Sequence, residues 1–173
     1  MRRVAQELKV GTMSLYYYVN TKADLIAAMD DALMGEVLLP YVPKDWRRAL
    51  LQIARQTHDV FIRHPWALMA MLSAAPGVNA MRHLEQCLEA LSDTRMTNRQ
   101  RITLLALIDD FVFGHALREA AVHTPIDSKV ASALLKTGSF PRLNDVFSEV
   151  RIEPGKERFQ KGLRALMSSV AGK

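Results

Sequence analysis

Proline sets the outline of this chain. All seven prolines fall between segments of helical periodicity rather than inside them, and a proline inside a helix removes a hydrogen bond and clashes with the preceding turn. Strand signals are nearly absent, whereas apolar residues recur at three- and four-residue intervals. The punctuation predicts helices over about 1–8, 12–18 and 22–38, the last ended by Pro40 and Pro43. Asp45 is placed to cap a helix reaching about His64, where Pro65 bars helical geometry in the residue before it. Short helices follow over about 66–74, closed by Pro76-Gly77, and 78–91. Thr97 or Asn98 caps a long helix to about His123, before Thr124-Pro125. Asp127 or Ser128 starts a short one to about Thr137, Leu143–Val150 holds another short piece, and the last spans about 156–170 after Pro154-Gly155. The expected fold class is all-α.

The first of these segments raise a specific question, because they contain three consecutive tyrosines. Successive helical positions point about 100° apart, so one buried face cannot hide Tyr16, Tyr17 and Tyr18 together. Leu15 and Val19 continue the inward stripe begun by Val4, Ala5 and Leu8; Met13, Tyr16, Tyr17 and Asn20 lie opposite, with Tyr18 at the border. Arg2, Arg3, Lys9 and Lys22 face only Glu7 in this region, whereas Asp24, Asp30, Asp31 and Glu36 follow without a base before Pro43. A basic tip on an acidic stem places any polyanion contact at the tip. Two short helices joined by a tight turn, with hydrogen-bonding side chains opening the second, make a helix-turn-helix. Thr12 and Ser14 can exchange hydrogen bonds with base edges, and Met13 or a tyrosine ring can meet a thymine methyl. Tyrosine hydroxyls and Lys22 can reach phosphates.

The stretch VAQELKVGTMSLYYYVNTKADLIAAM resembles the end of the DNA-binding domain of tetracycline-repressor (TetR) family regulators. A leucine, a tyrosine, two further aromatics and a valine, then a lysine and Leu-Ile, are filled by Leu15 to Val19, Lys22 and Leu25-Ile26. DWRRALLQIARQTHDVFIRHPW is similar to the entry into that family's C-terminal domain. The resemblance implies base or phosphate contacts for Arg2, Thr12, Met13, Ser14, Tyr16, Tyr17, Tyr18 and Lys22. It also implies a DNA-binding part over residues 1–39, connecting helix included, and an effector-binding and dimerising part over 40–173. Lys9 stands where the family usually has glycine, so the turn is expected to carry strain on the order of 1 kcal/mol. The family's domain has a further helix before this point, so the helix-turn-helix is expected to be incomplete and to lack its first helix.

For the remainder, Ile108 and Val112 on the long helix, and Phe159, Gly162, Leu163 and Leu166 on the last one, are expected at a homodimer interface. The long helix is apolar on more than one face, and small residues beside the last helix's stripe admit close approach. Phe61, Trp66, Met69 and Phe113, with Met71 and Met81, could line an apolar cavity, with His58, His64, His83, Gln86 and His115 as polar handles.

Other functional classes find little support. Cys87 is the one cysteine, which excludes an internal disulfide and fits a reducing cytoplasm. No run approaches the roughly 18 apolar residues of a membrane span, and no secretory signal pattern opens the chain. His83 and Cys87 share a helix face, but a structural zinc takes about four ligands and no third is signposted. Asp109 and Asp110 are adjacent, so they cannot face one another as a catalytic pair; they are placed to cap, to pair with Arg101 or Arg118, or to touch a ligand. There is no glycine-rich phosphate loop and no nucleophile elbow. The expected protein is therefore not an enzyme and has no cofactor, catalytic residue or metal. The resemblance implies a cytoplasmic, homodimeric, ligand-responsive transcriptional regulator, a repressor, whose partners are a pseudo-palindromic DNA operator and a small-molecule effector, with no membrane partner. The alternative is a helical ligand-binding or dimerisation module without DNA binding.

Overall fold

The computed structural model describes residues 1–70, 75–121, 133–149 and 155–170. The described residues form helices and connecting turns, with no strand. The elements are α1 (Arg2–Glu7), α2 (Thr12–Tyr18), α3 (Lys22–Val37), α4 (Trp46–Arg63), α5 (Trp66–Ala70), α6 (Val78–Ala90), α7 (Asn98–Ala121), α8 (Pro141–Glu149) and α9 (Gly155–Val170). The short helix expected over about 127–137 lies outside the described residues except for a helical turn over 133–136, and Met71 lies outside them too.

The helix starts follow local chemistry. Asp45 accepts the Arg48 N–H at 2.7 Å, as its N-cap position predicts. Thr97 opens α7: its hydroxyl accepts the Gln100 N–H at 3.3 Å while the Gln100 side chain accepts the Thr97 N–H at 2.8 Å. This reciprocal box also opens α3, between Thr21 and Asp24.

Two hydrophobic cores result. The larger joins α3, α4, α5, α6, α7 and α9, with Leu50, Leu68, Leu91, Leu104, Leu163 and Met167 essentially inaccessible. Burying each such side chain contributes about 1.5–3 kcal/mol. The smaller core holds Ala5, Leu15 and Val19, with Met1 and Leu25 packed against it. Val4 and Leu8, expected on the inward stripe, are exposed.

Four of the six residues expected at a dimer interface serve the larger core instead. Ile108, Val112, Phe159 and Leu163 are buried within one chain. A Cβ built on Gly162 would collide with the Phe111 ring, so this glycine admits α7 of the same chain. Leu166 is half-buried. Periodicity identified apolar faces correctly, but the helices that cover them belong to the same molecule.

Candidate functional site

At the tip, Leu15 and Val19 anchor α2 to the small core and leave its opposite side open. Met13, Tyr17 and Tyr18 are 82%, 85% and 81% exposed, and Tyr16 is 41% exposed. Tyr18 therefore sits outside the core, its ring edge-on to Tyr17 at 5.3 Å between centroids. Arg2, Ser14 and Lys22 are exposed and Thr12 is half-buried. Lys22 opens α3, where the Thr21–Asp24 box fixes its backbone.

The turn between α1 and α2 is closed by a Schellman motif. The Val10 N–H donates to the Ala5 carbonyl and the Lys9 N–H to the Gln6 carbonyl, both at 3.0 Å. This geometry puts Lys9 at φ 55°, the left-handed region, which no other non-glycine described residue enters. The strain expected from a lysine in place of glycine is thus present.

The stem α3 is tied to α6 at two places. Asp31 accepts the backbone N–H of Asn79 at 2.8 Å and that of Ala80 at 3.4 Å, capping α6 from a neighbouring helix. Gly77, the residue before α6, makes room: a Cβ there would strike the Asp31 carboxylate. Just beyond α3, the Gln86 amide accepts the Leu39 N–H at 3.0 Å and donates to the Leu39 carbonyl at 2.7 Å. Gln86, expected as a ligand handle, is thus occupied in clamping the backbone between α3 and α4.

A cavity of about 260 Å³ lies between α3, α4, α6 and α7, lined by Met34, Thr57, Phe61, His83, Asp109, Asp110, Val112 and Phe113. It brings together Phe61, His83 and Phe113 from the expected ligand set. Trp66 and Met69 lie elsewhere and are 41% and 65% exposed; His64 is half-buried and does not line the cavity. His58 faces a different cavity, beside α9. Sequence reading missed Met34 and Thr57, which carry no local signal beyond apolar or helical character.

The polar groups of the cavity are few. Burial holds His83 below the ordinary imidazole range, so it is neutral near pH 7, and its buried Nδ1 has no hydrogen-bond partner among the described residues. Its Nε2 lies 3.9 Å from Cys87 Sγ. The Cys87 thiol is pushed up to about 12 by burial and then by Asp109, which keeps it protonated and a poor metal ligand. Asp109 is itself pushed up to about 6, by burial and then by Asp110, although the residue remains open to solvent on one side. Neither aspartate pairs with Arg101, whose guanidinium instead donates to the Ser92 and Thr94 carbonyls.

Residues 39–172 match the family described as tetracyclin repressor-like, C-terminal domain. The chain belongs to the TetR family. The HTH-type transcriptional repressor DrrR1 of Streptomyces coeruleorubidus is 31% identical to this TetR-family chain over 186 residues, which is 98% of this chain and 68% of that protein. The structure of apo ActR from Streptomyces coelicolor superposes with a TM-score of 0.81 at 26% identity, covering 100% of this chain and 88% of ActR. ActR in complex with actinorhodin gives the same TM-score at 25% identity and the same coverage. These TetR-family neighbours share the all-α architecture described above.

Proposed function

We propose that this TetR-family chain is a ligand-responsive transcriptional repressor. It binds a pseudo-palindromic operator as a homodimer and is released by a small-molecule effector. The observation that carries the reading is the connected geometry of tip, stem and cavity. An aromatic stripe on α2 faces solvent, α3 carries it, and α6, tied to α3 through Asp31 and Gln86, walls the cavity. The relatives named above support it: one is a repressor, and another was solved with a small molecule bound.

In this reading residues 1–39 bind DNA and residues 40–173 bind effector and dimerise. Thr12, Met13, Ser14, Tyr16 and Tyr17 face the major groove, while Arg2, Tyr18 and Lys22 supply base or phosphate contacts. The effector is a small, mostly apolar molecule that packs on Met34, Phe61 and Phe113. It carries a donor for Asp109 and one polar group for the Nδ1 of His83. The dimer forms through surface the described residues leave open on α7 and α9: Ala106, Leu107, Gly114 and Leu117 with Ala165 and the half-buried Leu166. Among the described residues, nothing beyond its own helix backbone lies within 4 Å of a Cβ built on Gly114, so they give no packing reason for a glycine there.

A fluorescence-anisotropy titration against the intergenic DNA upstream of its own gene, at one fixed salt concentration, tests the reading. Sequence-specific binding with half-sites roughly 34–36 Å apart, reversed by an effector whose effect is lost in Phe61→Ala, is expected. Equal affinity for random DNA would refute it.

A further inference from the structure

Two histidines and a carboxylate converge where α4, α7 and α9 meet. His58 on α4 brings Nε2 to 3.3 Å from His115 Nδ1 and 3.2 Å from Glu119 Oε2, and His115 Nδ1 lies 3.7 Å from the same oxygen. His115 and Glu119 share one face of α7 by their four-residue spacing. Phe159 of α9 packs its ring 4.6 Å from His58 and 4.9 Å from His115, which restricts both imidazoles. The three donor atoms therefore face one another rather than separate partners.

Their spacing has a specific match. In a four-coordinate site with bonds of about 2.0–2.1 Å, the tetrahedral angle sets neighbouring donor atoms roughly 3.3–3.4 Å apart. The three observed edges, 3.2, 3.3 and 3.7 Å, bracket that value. Two imidazoles and one carboxylate also form a donor set that suits zinc and neighbouring divalent metals. The Asp59 carboxylate lies 3.6 Å from Nδ1 of His58, on the side away from the other donors, where a second-shell carboxylate orients a ligating ring.

We propose that His58, His115 and Glu119 form a binding site for a divalent transition metal ion. The fourth position opens into a cavity of about 290 Å³ lined in part by Arg55, Lys156 and Gln160. The Asp59 carboxylate stands on the same wall and offsets these cations, which leaves the fourth position to water or hydroxide. None of the three metal ligands lines the cavity assigned to the effector, so this site stands apart from the repressor reading. Because His58 belongs to α4 and the other two to α7, a bound ion fastens those helices together.

The test is a Co²⁺ titration of the chelator-treated, full chain, followed by its visible absorption and by calorimetry. The expected result is one ion per chain with the intense d–d absorption of a four-coordinate site. Glu119→Gln and His58→Asn should each weaken binding at least about tenfold, and His64→Asn, outside the cluster, should leave it unchanged. Glu119→Gln is isosteric at a half-exposed position, and its circular-dichroism melt checks that the fold persists. Absent Co²⁺ binding, binding unchanged in the folded Glu119→Gln and His58→Asn proteins, or binding lost equally in His64→Asn, would each overturn the proposal.

Discussion

Asp31 caps a helix to which it does not belong. Its carboxylate accepts the Asn79 N–H at 2.8 Å, so the first turn of α6 is completed by the stem α3. Gly77 supplies no side-chain cap of its own. Asp31→Ala should lower stability by about 1 kcal/mol, the usual cost of losing an N-cap acceptor. Gly77→Ala should act on the same contact, since its Cβ would displace the carboxylate. Urea denaturation of the two single variants and the double variant should therefore show strong non-additivity, the second substitution costing little after the first. Additive losses would mean that the two residues act separately.

Lys9→Gly should stabilise the turn between α1 and α2 by about 1 kcal/mol, because glycine occupies φ 55° without steric cost. Since local opening governs exchange, the α1 and α2 amides should exchange roughly fivefold more slowly. Unchanged exchange would show that the lysine carries no strain.

Tyr17→Ala and Lys22→Ala should weaken DNA binding in different ways. Loss of the groove-facing ring should reduce affinity for the operator much more than for random DNA. Loss of the lysine should weaken both and lower the slope of log K against log salt by about 1. Equal effects of both variants on both DNAs would contradict the roles given to them.

The packing separates core from open surface on α7 and α9, and the open surface is where the dimer is proposed. Leu163→Asp places a charge among Phe159, Met167 and Leu104 and should unfold the protein or leave it insoluble. Leu117→Asp, on the open side of α7, should leave a folded monomer in sedimentation. A folded, dimeric Leu117→Asp protein would move the interface elsewhere.

Asp109 makes stability depend on pH. Its folded-state value is about 6, above the ordinary 3.8 expected when unfolded, so between those values the folded state holds more protons. The stabilisation from neutral Asp109 is complete below the unfolded value and is lost as pH rises through about 6. Solvent on the open side screens the charge, so the decline is smaller than full linkage predicts. Asp109→Asn should flatten it; an unchanged slope between about pH 4 and 6 in that variant would assign the effect to another group.

The helix order was legible because proline and capping residues act over a few positions: Asp45, Thr97 and Pro65 fix their boundaries by local chemistry. The left-handed Lys9 was legible only through the resemblance, which places glycine at that turn. Which face of α7 meets its own chain was not, because periodicity reports that Ile108 and Val112 are apolar without naming what covers them. Asp31 and Gln86 gave no signal either: each finds its backbone partner 47 or 48 residues away. His115 and Glu119 are visible as a four-residue pair, but His58 joins them only through the packing of α4 on α7.

The two ties between α3 and α6 turn the stem into a lever. Asp31 in α3 and Leu39 just beyond it are held by the first and third turns of α6, so the two helices are fastened side by side like a doubled beam. At 1.5 Å per residue, the 16 residues of α3 give an arm of about 24 Å. A pivot of roughly 5° at the α6 end sweeps the tyrosines through roughly 2 Å, about two-thirds of a hydrogen-bond length. Any reseating of α3 or α6 beside the cavity is therefore magnified by the length of the arm before it reaches the far end.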